Sequence, residues 1–176
     1  MIDPPWQQLK SNTRRVRANQ HKNLDYSTLS LEAIFELLDH EIFTLAAGDH
    51  CAFLWTIDKY LIGSEAAMLQ RGYKRHCRFV WDKTNGIAAA FTIRFSHEYL
   101  VWYYKYKLPP IDTATRGIFR TVFMESSRQH SRKPNFAYRM VERLYPLQHK
   151  LDVFSREKRP GWEQFGNQIN YFTQRI

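Results

Sequence analysis

Four residues near the start of the chain, Asp3-Pro4-Pro5-Trp6, bring a carboxylate, a stiffened backbone and a large aromatic into one turn. Such a turn could serve the exocyclic amine of a planar base. The lone pair of an amine like adenine N6 is delocalised into its ring, so the amine attacks an electrophile such as a methyl sulfonium poorly. A carboxylate and a backbone carbonyl, each accepting one N–H, would turn that lone pair out of the ring plane. Asp3 offers the first acceptor and the Pro4 carbonyl the second. Pro4 and Pro5 fix φ and carry no N–H, so the turn is stiff and presents only acceptors. Trp6 offers a flat face on which a base could stack. Taken alone, Pro-Pro is a common loop marker and Trp6 an ordinary core plug. The rest of the chain carries the argument further.

The 176 residues fit one domain with a proper core, and hydrophobic and aromatic contents of 44% and 15% mark a globular chain. Apolar runs are short of the roughly 18 residues that span a membrane, and no leader-like segment opens the sequence, so a cytoplasmic setting is expected. Cys51 and Cys77 lie in apolar contexts and read as reduced core residues. The seven His residues show no ligand spacing, so no metal is expected. A formal net charge of +9 points to a polyanionic partner, most simply nucleic acid. Lys10, Arg14, Arg15, Arg17 and Lys22 concentrate part of that charge in a segment with no acid before Asp25.

These groups need elements to hold them. Residues 1–3 read as the end of a strand and residues 7–28 as a long basic loop. Ser30 caps a helix reaching about Asp39, with Leu31, Ile34, Phe35 and Leu38 on one face. Residues 51–57 form an apolar run suited to a buried parallel strand. Asp58 is placed to cap a helix ending at Gly72. Strands are predicted over 73–83, 98–104, 119–125 and 150–155, and a helix from Pro134 to about Tyr145. The alternation gives an α/β chain with a mainly parallel sheet, whose ligands bind at the carboxyl ends of the strands. Asp3 to Trp6, Asp82 to Asn85 and the stretch after Ser155 fall there. No Gly-x-Gly-x-x-Gly and no P-loop is present, which disfavours a nicotinamide dehydrogenase and an NTPase.

With these segments in order, the chain resembles the MT-A-seventy family, the adenine N6-methyltransferases that include the eukaryotic mRNA writer and bacterial and phage relatives. The matching residues run from Asp3-Pro4-Pro5-Trp6 through Asp25-Tyr26-Ser27-Thr28, Phe53-Leu54-Trp55 and Gly72-Tyr73. They continue through Trp81-Asp82-Lys83-Thr84-Asn85, Ser96-His97-Glu98-Tyr99-Leu100 and His130-Ser131-Arg132-Lys133-Pro134. They close with Asp152-Val153-Phe154-Ser155-Arg156 and Gly161-Trp162-Glu163-Gln164-Phe165-Gly166-Asn167-Gln168. The bacterial and phage members, whose expected substrate is DNA, are the better likeness.

The resemblance implies a single domain with a Rossmann-like class I methyltransferase fold: three αβα layers, a mainly parallel sheet, and permuted motif order. It implies S-adenosylmethionine as cofactor and direct methyl transfer to a flipped-out adenine, with Asp3, Pro4, Pro5 and Trp6 as the catalytic turn. Lys133 would meet the methionine end, and Arg156, Asn167 and Gln168 the ribose and adenosine side. Lys83 and Asn85 would line the base-side entrance, Glu98 would bond the target or organise the pocket, and Arg14, Arg15 and Arg17 would clamp phosphates. A full strand precedes the catalytic turn in the family, so this chain is expected to be short at its first strand. Two other readings share these residues: an RNA adenosine methyltransferase, and a non-catalytic methyltransferase-like subunit that binds nucleic acid.

Overall fold

The computed structural model describes residues 1–7, 26–84, 95–129 and 131–172. Helix α1 (Leu31–Leu37) starts where the sequence places it, because the Ser30 hydroxyl accepts the Ala33 N–H at 3.2 Å. It widens into a π turn over Leu38–Ile42. Strand β1 (His50–Thr56) runs through Ile57, which is extended, straight into α2 (Asp58–Gln70). Ile57 therefore holds the cap position, and Asp58 lies one residue too late to cap. Its charge still favours the positive end of the helix. Strands β2 (Tyr73–Asp82) and β3 (His97–Lys105) follow, then a short β4 (Val122–Met124). Helix α3 (Asn135–Leu144) has Pro134 just before it rather than within it, and β5 (Leu151–Val153) and β6 (Glu163–Phe165) complete the chain. β4 covers only part of the 119–125 stretch, since it is an edge strand paired on one side to β2.

One residue joins the two hydrogen-bonded sheets. Ile2 bridges Leu54 of β1 and Val153 of β5, parallel to both. Its N–H donates to the Phe53 carbonyl at 2.7 Å and its carbonyl accepts from Trp55 N–H at 2.8 Å. On the other side Val153 N–H donates to Met1 O at 2.8 Å and Asp3 N–H to Val153 O at 3.1 Å. The strand order is thus β6, β5, residues 1–3, β1, β3, β2, β4. The sheet is mixed: β3 pairs antiparallel with both β1 and β2, while β2–β4 and β5–β6 are parallel.

Alternating side chains feed two cores. Met1, Phe53, Trp55, Trp81, Leu100 and Trp102 pack with Ala137, Met140, Val141 and Leu144 of α3. Ile2, Ala52, Leu54, Val101, Tyr103 and Val153 pack instead with Ile34, Phe35 and Leu38 and with Met68 of α2. Trp55, Trp81 and Trp102 are all buried. Both cysteines are free thiols beside the first core, and burial pushes the Cys77 thiol up to about 11. Among the described residues no helix is long and apolar enough to cross a membrane, and no His, Cys, Asp or Glu cluster could hold a metal.

The sheet's edge on the β6 side depends on a glycine. A Cβ on Gly166 would lie 2.9 Å from Ser155 O and 3.0 Å from Ser155 N, both backbone atoms. Gly166→Ala should therefore push the turns after β5 and β6 apart, lowering stability by about 1–3 kcal/mol. Thermal denaturation checks this, and an unchanged melting temperature would show that the turns tolerate the separation.

Candidate active site

The carboxyl ends of the parallel strands open into one cavity of about 1180 Å³. Residues 1–3 end there in Asp3, β1 in Thr56, β2 near Lys83, β5 near Phe154 and Arg156, and β6 in the Phe165 to Gln168 turn. Strand β3 runs the other way, so its first residues, His97 and Glu98, reach the same rim. Asp3 lies near the middle of this row because residues 1–3 occupy the middle of the sheet.

Asp3 is gripped by charge. The Lys133 ammonium lies 2.9 Å from Asp3 Oδ1 and 3.2 Å from Glu98 Oε2. Glu98 Oε1 in turn accepts from Lys83 Nζ at 2.6 Å. Four side chains thus alternate in sign, Asp3, Lys133, Glu98 and Lys83, with Lys133 also 5.6 Å from the centre of the Trp55 ring. Burial pushes the Asp3 carboxyl up to about 6 against the pull of Lys133. Burial would also raise Glu98, but Lys133 and Lys83 outweigh it and hold that carboxyl below its ordinary range. For Lys133 burial opposes the charge, and Asp3 and Glu98 overcome it, so the ammonium persists well above the usual lysine range. Among the described residues Glu98 thus pairs with two lysines.

The turn after Asp3 is tied down. Trp6 N–H donates to the Pro4 carbonyl at 2.8 Å, and Leu29 N–H donates to the Pro5 carbonyl at 2.9 Å. A carbonyl oxygen has two acceptor sites, so Pro4 keeps one for a second donor. Trp6 is only 6% exposed. One face stacks on Tyr60, with centroids 4.9 Å apart and 15° between planes, and its Nε1–H donates to Trp55 O at 3.1 Å. The open stacking face expected of Trp6 is largely taken up by this packing.

On the β5–β6 side, Arg156 Nε donates to Gln168 Oε1 at 2.9 Å, and its guanidinium lies 3.8 Å from the Tyr171 ring centre and 4.7 Å from that of Tyr26. Tyr26 and Ser131 share a hydrogen bond of 3.0 Å between their hydroxyls. Asn167 lines the same wall. Ser131 and Phe154 hold left-handed backbone, φ +65° and +61°, and Thr84, next to Lys83, holds φ +57°. Strain of this kind persists where the surroundings over-determine a loop, as they do around this cavity. The structure thus brings Asp3, Pro4, Pro5, Trp6, Lys83, Glu98, Lys133, Arg156, Asn167 and Gln168 to one cavity. Arg14, Arg15, Arg17 and Asn85 lie outside the described residues. The sequence reading missed the aromatic wall of Tyr26 and Tyr171 around Arg156, and Phe95 and Lys59 at the rim. Tyr26 carried a signal, since it stands in one of the segments that prompted the family resemblance; Tyr171, Phe95 and Lys59 carried none.

The MT-A70 family model matches residues 1–168. The chain belongs to the MT-A70 family. It is 30% identical over 176 residues to an Arabidopsis thaliana protein named N(6)-adenosine-methyltransferase MT-A70-like, covering 97% of this chain and 23% of that protein. It is 27% identical over 177 residues to the human N(6)-adenosine-methyltransferase catalytic subunit METTL3, covering 97% and 28%. It is 24% identical over 181 residues to the Type II methyltransferase M.MunI of a Mycoplasma species, covering 95% and 75%. The chain thus spans about a quarter of the length of the adenosine methyltransferases that it matches.

Methyltransferases of the MT-A70 family depend on S-adenosylmethionine. The donor set fits that molecule. Asn167 and Gln168 can donate to and accept from ribose hydroxyls at once. The Lys133 ammonium has three protons and gives two to Asp3 and Glu98, which leaves one for a carboxylate. Asp3 and Glu98 also make Lys133 costly to remove. Lys133→Met should leave two largely buried carboxylates facing each other, lowering stability by about 3–5 kcal/mol. Chemical denaturation checks this, and a loss below about 1 kcal/mol would mean the ion chain carries little of the fold.

Proposed function

We propose that this chain is the catalytic domain of an S-adenosylmethionine-dependent adenine N6-methyltransferase acting on DNA, built on a three-layer Rossmann-like class I scaffold. The observation that carries the proposal is an Asp3 carboxylate beside the Pro4 carbonyl at the carboxyl end of a central strand, held by a buried lysine. The layered scaffold is supported by a sheet with helical packing on both faces. DNA is supported by the 75% of the Mycoplasma Type II methyltransferase that the chain covers. The names of the Arabidopsis and human relatives support adenosine in RNA as the second substrate to test.

When bound, S-adenosylmethionine supplies an electrophilic methyl at its sulfonium. The chain does the rest by placing and polarising the amine. A target adenine turned out of its stack would set N6 against Asp3 and the Pro4 carbonyl, each accepting one N–H. Both bonds favour a lone pair out of the ring plane, and both acceptors are fixed before the base arrives, so no reorganisation is needed. An arylamine that has gained a methyl is a strong acid, and an Asp3 carboxylate near 6 is base enough to take its proton. Lys133 keeps Asp3 charged in a site that disfavours charge, and Glu98 and Lys83 keep Lys133 in place. Arg156, Asn167 and Gln168 would hold the ribose side. Cations among residues 7–28 would meet phosphates, making substrate binding salt-sensitive.

Asp3→Asn preserves the shape and one acceptor but not the charge. Transfer of labelled methyl to DNA or RNA should fall at least about a hundredfold, with folding and nucleic-acid affinity retained. Activity within about threefold of the parent chain would remove Asp3 from the mechanism. The pH dependence has a definite sign. The accepting form of Asp3 exists above its pKa, so the rate should rise with pH through about 6 and then level off. A rate that is flat from about 5 to 8 would contradict it.

A further inference from the structure

Trp6 is packed away, so a base delivered to Asp3 needs another surface to lie against. The cavity is also larger than the roughly 300–1,000 Å³ of ordinary ligand pockets, which leaves room beside a cofactor. Its walls fall on two sides of Asp3 in the strand order. The β5–β6 side carries Arg156, Asn167 and Gln168, which suit a ribose. The β1–α2 and β3 side carries Ile57, Lys59, Phe95 and His97. Phe95 is 55% exposed, and of the exposed large apolar side chains among the described residues it alone lines the cavity. It makes no ring contact with another aromatic among the described residues. An exposed ring at the mouth of a cavity is costly in water and offers the π face on which any base can stack. His97, two residues on, bonds Tyr99 through Nε2 at 2.9 Å, which fixes its ring on the same wall. Lys59 is an exposed cation at the start of α2, 4.6 Å from the Tyr60 ring centre and 3.4 Å from the Gln7 carbonyl. It thus stands at the far end of the Asp3-Pro4-Pro5-Trp6 turn, where a strand leaving the cavity would pass.

We propose that Phe95 and Lys59 form the nucleotide-holding wall of the cavity, with Phe95 stacking on the substrate base and Lys59 contacting a phosphate of the same strand. The inference takes its nucleic-acid substrate from the methyltransferase reading above. A ring stack is sequence-tolerant, so the wall would hold the base while other contacts choose the site.

Fluorescence anisotropy of a labelled random-sequence single-stranded DNA pool, with an RNA pool in parallel, tests this on the full chain. Phe95→Ala should weaken binding about tenfold, while Phe95→Trp retains it. Lys59→Gln should weaken binding and lower the salt slope by about one. Affinity for S-adenosylmethionine, measured by calorimetry, should be unchanged in all three variants. Wild-type affinity in Phe95→Ala, or a loss in Phe95→Trp as large as in Phe95→Ala, would overturn the proposal. Absence of pool binding by the parent chain would overturn it too. Methyl transfer by the parent chain onto the same pools is scored separately. Transfer with a neutral Phe95→Ala sinks this inference and leaves the enzyme reading intact. Binding that depends on Phe95, without transfer, sinks the enzyme reading and leaves the wall in place.

Discussion

The Lys133 ammonium, set between the carboxylates of Asp3 and Glu98 at the carboxyl end of the sheet, is the interaction on which the site depends. A buried carboxylate without a partner would take up a proton, and a protonated Asp3 would be a donor where the proposed mechanism requires an acceptor. Lys133 alone would be an equally costly buried cation. Glu98 balances it, and Lys83 balances Glu98. The charges cancel over four residues drawn from residues 1–3, the end of β2, β3 and the segment before α3, so the site is complete only when those elements are assembled together.

The scaffold meets that requirement through short-range devices. Ile2 fastens residues 1–3 between β1 and β5 and thereby aims Asp3. Next to Lys133 in the chain, the Glu125 carboxylate accepts from the N–H groups of Asn135 and Phe136 at 2.7 and 2.9 Å. This anchors the first turn of α3 and with it the Lys133 to Pro134 entry. Ser131 and Phe154 are left-handed at the cavity edge, and the Ser131 hydroxyl bonds that of Tyr26. A site built on strand ends and a capped helix is more precise than one built on loops alone.

Much of this was legible in the sequence where the signal was local. The Ser30 cap, the apolar run of β1, the helix after Pro134 and the Asp3 turn all announce themselves within a few residues. Pairings across the sheet were not legible. Nothing within ten residues of Glu98 points to Lys133, because their contact is made by tertiary packing. The same holds for Trp6, whose free face disappears only when α2 brings Tyr60 against it. β6 is three residues long and carries no periodicity of its own, so it reads as turn until it pairs with β5. The antiparallel sense of β3 was also invisible, since a buried central strand is apolar in either direction.

The most direct test of the central claim is the identity of the methylated atom. Random-sequence DNA and RNA pools would be incubated with the chain and isotope-labelled S-adenosylmethionine, then digested to nucleosides and resolved by mass spectrometry. An Asp3 carboxylate and a Pro4 carbonyl that grip an adenine amine require the label on N6-methyladenine, as deoxyriboside if the substrate is DNA. Label on cytosine, on a ring nitrogen or on a ring carbon would contradict the account.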